Sequence, residues 1–417
     1  MNFKGKVLSG FLSVCLAFTA IAFNASAVMA ATTYEIATKA DLLNFAQAVN
    51  GGEANANAVL LSDIVVNEGD IANCNGVNSG SWEEWTPIGN AQQMYMGVFD
   101  GQGHTVSGLY FNNQSAGYVG MFGAINGAEI KNLKVDNSYI QGASVVGGVC
   151  GFANGNAKVT NCSNGATVKG QANIGGVCCL AIGSTISGCQ NTGNVTSVND
   201  YAGGISGFAN SNTSIINCVN TGNVSGNSYI AGVCGFIGDA NAVNCISTGE
   251  IKGSSITGAI CGTVVGGGSV SNCYYLAGCA NGGINGSDMQ SSTESKTAEE
   301  FANGNVAWLL NEKAVDDAMW YQNVDNGADV DSIPVLDSTH GVVYAIVMND
   351  GTIIASNKES LTGDVDINGE VTEVDAVTLL KYIGGIDGAL NIGGADVNND
   401  GEINLNDVIA ILNTVNA

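Results

Sequence analysis

The 417-residue chain contains no arginine, two prolines and two histidines, and 12 lysines stand against 37 acidic side chains. A net charge of −25 excludes the basic surface that nucleic-acid phosphates require. Without arginine there is no bidentate clamp for uronate carboxylates either, so neutral glycans, cations or basic protein surfaces fit better than acidic polysaccharides. The two histidines, His104 and His340, are far apart and cannot supply the helical His pair of a zinc peptidase. Beyond residue 30 no stretch reaches the ~20 apolar residues of a membrane span. What fills the chain instead is glycine, 59 residues of it, with Asn, Ser and Val.

The N-terminus has its own pattern. Lys4 and Lys6 precede an apolar run from Val7 to Phe23 and then small residues at Ala25, Ala27 and Ala30. That layout predicts a signal peptide over 1–30 and an exported, soluble mature chain starting near Ala31. Cys15 loosely resembles a lipoprotein site, but the apolar run continues past it and Val14 disfavours acylation.

A repeat organises the next 250 residues. "GGVCG" at Gly147, "GGVCC" at Gly175, "GGISG" at Gly203 and "AGVCG" at Ala231 recur every 28 residues, following "VGMFG" at Val119, and "GAICG" follows 27 later at Gly258. A second beat carries Cys162, Cys189, Cys218, Cys245 and Cys273, usually after Asn, and a third reads "TGNV" or "TGEI". Between beats lie β-type runs too short to be stable alone, and none has a helical period. Stacking such units buries their apolar faces in a shared column, so the spacing predicts a right-handed parallel β-helix or β-solenoid over residues ~90 to 290. The twelve Cys of the mature chain then read as small buried residues in reduced ladders, with bridges between neighbouring coils as the alternative. CxxC zinc spacing is absent.

These units resemble the GLUG-type repeats of bacterial surface and secreted proteins, on "GGVCGFANG" and "GGISGFANS". "YEIATKADLLNFAQAVNGG", "WTPIGN" and "GVFDGQGHTVSGLYF" look like the segment that commonly enters such repeats, and "KTAEEFANGNVAWLLNE" with "IPVLDSTHGVVY" like the one that leaves them. As caps they would cover the open ends of the column. The expected organisation is a signal peptide at 1–30, an N-terminal cap and first coils at 31–116, repeats at 117–290, a C-terminal cap at 291–345, a linker at 346–360 and a C-terminal module at 361–417.

Parallel β-helices often carry polysaccharide lyases or hydrolases, so a carboxylate pair or a Lys base is the feature to seek. Between Ala143 and Gly286 the acids are Asp200, Asp239 and Glu250, at different phases of the repeat. Asp100 and His104 sit where the chain turns into its first coil, a structural position. No catalytic constellation emerges.

The C-terminal module is built differently. Two twelve-residue loops place oxygen side chains at positions 1, 3, 5 and 9, Gly at 6 and a carboxylate at 12, as a hard cation requires. The first supplies Asp364, Asp366, Asn368, Glu370, Thr372 and Asp375; the second, 32 residues on, supplies Asp396, Asn398, Asp400, Glu402, Asn404 and Asp407. No convincing helix enters either loop, while a helix leaves each one, aligning Val377, Leu379, Leu380 and Ile383 with Ile409, Ile411, Leu412 and Val415. A duplicated loop-helix unit with Asp at position 12 resembles the type I dockerin of bacterial cellulosomes. The resemblance spans Leu361 to Ala417 and implies a small all-α fold, two Ca²⁺ ions, and docking onto a scaffoldin cohesin outside the cell. It carries the cohesin contacts onto Glu373, Val374 and Lys381 in one half and Leu405, Asn406 and Asn413 in the other. The leading expectation is a non-catalytic solenoid delivered to a scaffoldin for glycan or surface contact in polysaccharide degradation. A β-helical lyase or hydrolase, and a cell-surface adhesin, are the alternatives.

Overall fold

The computed structural model describes residues 32–78, 80–285, 293–312, 319–324, 330–349, 353–386 and 390–417. The segment expected as a signal peptide lies outside the described residues. The described chain is mainly β, a parallel solenoid of about nine turns followed by a small helical module.

Each full coil makes five short strands. In one coil they are Glu129–Lys131, Lys134–Asp136, Tyr139–Gln141, Ser144–Gly147 and Cys150–Asn154. The coils stack in register, and corresponding strands form five parallel sheets, A to E in that order. Sheets A and B have nine strands each, and C, D and E six each.

Residues at one position therefore form columns. The interior is lined by Phe99, Ile130, Val159, Ile186, Ile215, Ala242 and Val270 from sheet A and by Ile140, Val168, Val195, Val224 and Ile251 from sheet C. Each strand buries few side chains, but the stack joins them into one continuous core.

The corner between A and B explains the Asn-Cys beat. Asn132, Asn161, Asn217, Asn244 and Asn272 all have φ between 48° and 53°, a left-handed conformation that Asn tolerates better than other side chains. The bend sends the next residue inward, giving the column Leu133, Cys162, Cys189, Cys218, Cys245 and Cys273. Two positions further on, Asn164, Asn191 and Asn220 are fully buried. Asn164 Nδ2 donates to Asn191 Oδ1 at 2.8 Å, Asn191 Nδ2 to Asn220 Oδ1 at 2.8 Å, and Asn220 Nδ2 to Ser247 Oγ at 3.4 Å. An amide is both donor and acceptor, so identical side chains satisfy one another along the column. Beside this ladder the Gly of "TG" is obligatory, because a Cβ at Gly222 would lie 2.1 Å from the carbonyl oxygen of Gly193 one coil earlier.

The "VCG" beat has a related cause. In sheet D Tyr118, Val145, Asn173, Tyr201 and Tyr229 have φ between 56° and 62°, strained for a β-branched or bulky side chain. Their carbonyls press against sheet E, and a Cβ at Gly235 would stand 2.6 Å from the carbonyl oxygen of Tyr229. In the one repeat reading "GGVCC", the Cys179 thiol donates to that carbonyl on Asn173 instead. Outward of these corners Phe208 and Phe236 stack at 4.4 Å and Tyr201 and Tyr229 at 4.7 Å.

The N-terminal end of the column is plugged. Helix α1, Lys39–Asn50, starts at a capping box of Thr38 and Asp41 and buries Leu42, Phe45, Ala46 and Val49. Phe45 meets Tyr95 and Phe99 at 5.8 Å each. Near the other end, helices α2 (Ala298–Ala302) and α3 (Asn305–Leu310) bring Phe301, Val306 and Leu310, with Trp320, onto the side of sheet B. They cover Val219, Ile246 and Tyr274 there. Sheet B's outward column explains the placement, since it reads Lys134, Ser163 and Gln190 and then Val219, Ile246 and Tyr274 in register. The helices sit where the column is apolar. Residues 319–324 and 330–340 continue alongside as a strap, tied by the Tyr321 and Val335 bridge and by His340 Nδ1 against Asp331 Oδ2 at 2.7 Å.

All twelve cysteines among the described residues are unbridged, and all but Cys74 are buried. Burial pushes the Cys234 thiol up to about 12 and raises Cys179 and Cys261 well above the ordinary thiol value. Two outcomes follow from these columns. Asn191→Leu leaves Asn220 Oδ1 without its donor and Asn164 without its acceptor, and should cost about 2–4 kcal/mol in urea denaturation. Cys218→Ala should cost about 1 kcal/mol, the scale of a small core truncation. In a thiol assay of residues 31–417, native protein should expose Cys74 alone and the unfolded chain all twelve cysteines. A count short by an even number would reveal bridges between coils.

Candidate dockerin site

The C-terminal module is organised by its two acidic loops. In the first, Asp364 is nearly buried, and its carboxylate accepts from Asn368 N at 3.1 Å and Gly369 N at 2.9 Å, which folds the loop back on itself. Asp396 does the same in the second loop, accepting from Asp400 N at 3.1 Å and Gly401 N at 2.9 Å. Gly369 and Gly401, at position 6, have φ of 86° and 84°, which only glycine adopts without strain.

Position 12 ties each loop to its exiting helix. Asp375 is fully buried and accepts from Val365 N at 2.9 Å, Asp366 N at 3.2 Å and Thr372 N at 2.8 Å. Asp407 repeats the set with Val397 N at 2.8 Å, Asn398 N at 3.2 Å and Asn404 N at 2.9 Å. Each Asp is also the third residue of a capping box, with Thr372 and Asn404 as the N-caps. The departure from the Glu of other calcium loops thus has a local reason: one short carboxylate faces the loop and caps the helix.

Carboxylate oxygens of Asp364, Asp366 and Asp375 converge within 4.8 Å of one another. Desolvation, and then the charges of Asp375 and Asp364, hold the Asp366 carboxyl above its ordinary value. A divalent cation would relieve that repulsion. The donor set in both loops is carboxylate and amide oxygen around a tight Gly turn, which fits a hard cation such as calcium. Glu370 and Glu402 lie on the loop at position 7, where the backbone carbonyl would be the ligand, and the Lys358 ammonium donates to the Asn368 carbonyl beside the first loop.

The helices that leave the loops are Glu373–Ile383 and Leu405–Val415. Between them Ile392–Ala395 forms a single helical turn running into the second loop, where the sequence suggested no entry helix. Asn391 caps it by accepting from Gly394 N at 3.2 Å, and its amide also bonds Ser360 Oγ at 2.7 Å and the Asp364 carbonyl at 3.0 Å. One side chain thus starts the turn and ties it to the first loop. Ala376, Leu379, Val408 and Ile411 form the module's core with Val365, Leu390 and Ala395.

The two exit helices carry more apolar residues than this core uses. Of the aligned positions, Leu379 and Ile411 are buried, but Val377, Leu380, Ile409 and Leu412 are 50%, 48%, 55% and 37% exposed. The six side chains expected to contact a partner, Glu373, Val374, Lys381, Leu405, Asn406 and Asn413, are exposed as well. In the sequence Val377, Leu380, Ile409 and Leu412 stand out only as part of an apolar helix face. Their signal was available: Val377 and Leu380 lie off the 376, 379 and 383 stripe that one face can bury.

His104, considered with Asp100 in the sequence, faces Asp63 Oδ1 at 3.2 Å, while Asp100 accepts from Asn132 Nδ2 at 3.0 Å. Both serve the first coil. No helix among the described residues is long and apolar enough to cross a membrane.

Comparison with known proteins matches residues 362–416 to the family model for the dockerin type I domain. Halomucin of Haloquadratum walsbyi is 33% identical over 146 residues, which are 34% of this chain and 2% of halomucin. The chain thus spans a small fraction of that relative. Among solved structures, one described as a candidate immunoglobulin A1 protease from Bacteroides ovatus aligns with TM-score 0.48 and 20% identity, over 73% of this chain and 92% of that one. An IgA1 protease aligns with TM-score 0.37 and 18% identity, over 61% of this chain and 22% of that one. Dockerin domains in general bind calcium and take cohesins as partners, in extracellular cellulosome-type assemblies. Residues 362–416 are a dockerin type I domain, and a parallel β-solenoid precedes it.

Proposed function

We propose that this is an exported protein whose dockerin holds two calcium ions, one per loop, and plugs into a scaffoldin cohesin, delivering a glycan-binding solenoid to a polysaccharide-degrading assembly. The observation that carries the reading is the duplicated pair of loops, alike in their carboxylate hydrogen bonds and each feeding a helix that leaves apolar side chains in solvent. The module is small, and closure of its loops on cations would supply folding energy that its core cannot. The ligands would be Asp364, Asp366, Asn368, Asp375 and the Glu370 carbonyl in the first loop, with Asp396, Asn398, Asp400, Asp407 and the Glu402 carbonyl in the second. Thr372 and Asn404 cap their helices and stand at position 9.

The docking face would join Val377 and Leu380 to Glu373, Val374 and Lys381 on one helix, and Ile409 and Leu412 to Leu405, Asn406 and Asn413 on the other. The two faces are related by the duplication but differ chemically at the loop ends, Glu-Val against Leu-Asn. That asymmetry favours one docking orientation. Support for a binding role of the solenoid comes from the three acids of its later repeats, which are separately engaged: Asp239 accepts from Gly267 N at 2.7 Å, Glu250 pairs with Lys252 at 2.8 Å, and Asp200 accepts from Asn227 at 3.3 Å.

Two measurements test this. Calorimetry of the full chain should titrate two calcium ions, falling to one in Asp375→Ala or Asp407→Ala. Binding should weaken as pH falls, because protons compete for the Asp366 carboxylate, whose proton affinity is already raised. In pull-downs against a cohesin panel, capture should be abolished by EDTA and restored by calcium. Val374→Asp and Leu405→Asp should differ in affinity loss by about tenfold or more, about 1.4 kcal/mol. Equal small losses would contradict a single preferred face, and capture that survives EDTA would contradict calcium-dependent docking.

A further inference from the structure

The strap leaves a cleft of about 770 Å³ against sheet B, within the range of small-ligand sites. Its floor is the polar part of sheet B's outward column, Lys134, Ser163 and Gln190, from three successive coils. Val219 borders this floor, and the wall combines Tyr321 and His340 with the apolar Met319, Ile333, Pro334 and Leu336, which suit the C–H faces of a sugar ring. Where the same column is apolar, helices α2 and α3 and Trp320 close down on it. Over the polar part the strap stands off, and the floor keeps hydrogen-bonding groups that the protein does not use. Among the described residues the side-chain amide of Gln190 makes no hydrogen bond.

The corner beside this floor is also interrupted. Along the A–B corner Asn272 Nδ2 donates to Asn244 Oδ1 at 2.8 Å and Asn161 Nδ2 approaches Asn132 Oδ1 at 3.5 Å. The coil after Asn161 has Gly188 in place of Asn, with φ 61°, so no amide from that side reaches Asn161. Asn161 Oδ1 points into the vacated position, 2.4 Å from where a Cβ on Gly188 would lie. Asn132, Asn161 and Gly188 all line the cleft.

The chemistry of the walls selects a ligand class. Amides and hydroxyls that both donate and accept suit sugar hydroxyls. Charge is balanced: Asp337 and Lys134 both face the cleft, and hydrogen bonds from Thr339 keep the Asp337 carboxyl below the ordinary value. No arginine is present to grip acidic sugars. Three coils at about 4.8 Å spacing give a floor roughly 10 Å long, enough for a short oligosaccharide segment.

We propose that the cleft between sheet B and the strap formed by residues 319–324 and 330–340 binds a neutral oligosaccharide, with hydroxyls on the Asn161 and Gln190 amides and in the gap at Gly188. The inference rests on the reading of the solenoid as glycan-binding and gives that activity a location.

The test uses full-length protein with cellohexaose, xylohexaose and mannohexaose as probes and hexagalacturonate as the acidic control, read by titration calorimetry. One neutral hexasaccharide should bind, more tightly than the control. Gln190→Ala should weaken it about tenfold, the scale of one hydrogen bond to a neutral group. Gly188→Asn should weaken it as much or more, because the added amide completes the corner ladder and fills the gap. Asn already occupies that left-handed position in five other coils, so this variant should fold once the Asn161 amide turns away from the new Cβ, which a far-ultraviolet circular dichroism spectrum like the wild type's would verify. Undiminished binding in both variants would overturn the cleft while leaving the solenoid a glycan binder elsewhere. No binding of any probe at millimolar concentration would overturn both readings, and cohesin capture is unaffected by either result.

Discussion

In-register parallel pairing between coils is the constraint on which the rest of this structure depends. It sets each side chain directly above its own equivalent, so a residue type is admissible at an interior or corner position only if it can stack on itself. Charges fail that condition, because like charges one coil apart repel in a medium of low dielectric. Aliphatic side chains and thiols satisfy it without partners. Asn satisfies it through donation on one side and acceptance on the other, as the chain Asn164, Asn191, Asn220 and Ser247 shows. The scarcity of charge and the abundance of Gly, Asn and Cys are consequences of this one geometric rule.

The same rule makes departures informative. A column position that breaks its pattern is felt in both neighbouring coils, so Cys179 in place of Gly is accommodated by a thiol bond to Asn173, and Gly188 in place of Asn leaves a gap. Sheet B's outward face shows the effect on tertiary structure. Its change from Lys134, Ser163 and Gln190 to Val219, Ile246 and Tyr274 separates the floor of an open cleft from the bed of a packed helix pair. Periodicity builds the scaffold, and aperiodic substitutions within it decide what covers the scaffold and what stays accessible.

Much of this was legible in the sequence because the solenoid and the loops both write their geometry at fixed spacings. The 28-residue beat marks the coil, and DxDxNG with a carboxylate at position 12 marks the loop. Less legible were features set by contacts between distant segments. Thr33–Ile36 and Asn57–Leu60 pair side by side in sheet A although helix α1 separates them. Two runs of four residues give no sequence signal that they are neighbours. The division of each coil into five strands was hidden as well, since the break between sheets A and B falls mostly at left-handed Asn rather than Gly, while left-handed Tyr and Val sit inside the strands of sheet D. The turn at Ile392–Ala395 is four residues long and contains two glycines, and what stabilises it is Asn391, whose amide reaches back to the first loop.

The two parts of the chain solve the problem of stability in opposite ways. The solenoid excludes charge from its column and relies on area buried by repetition, so adding or removing one coil would change its length more than its character. The dockerin has too little apolar area for that and concentrates carboxylates instead, at the cost of the desolvation and mutual repulsion that raise Asp366. Its loops are shaped by backbone amides that donate to Asp364, Asp375, Asp396 and Asp407. Reliance on such polar contacts takes the place of apolar packing. It also leaves the exit helices with little core to share, which is why Val377, Leu380, Ile409 and Leu412 face solvent. The docking face proposed above would then follow from fold economy: apolar side chains that a 55-residue domain cannot bury are left for a partner to cover.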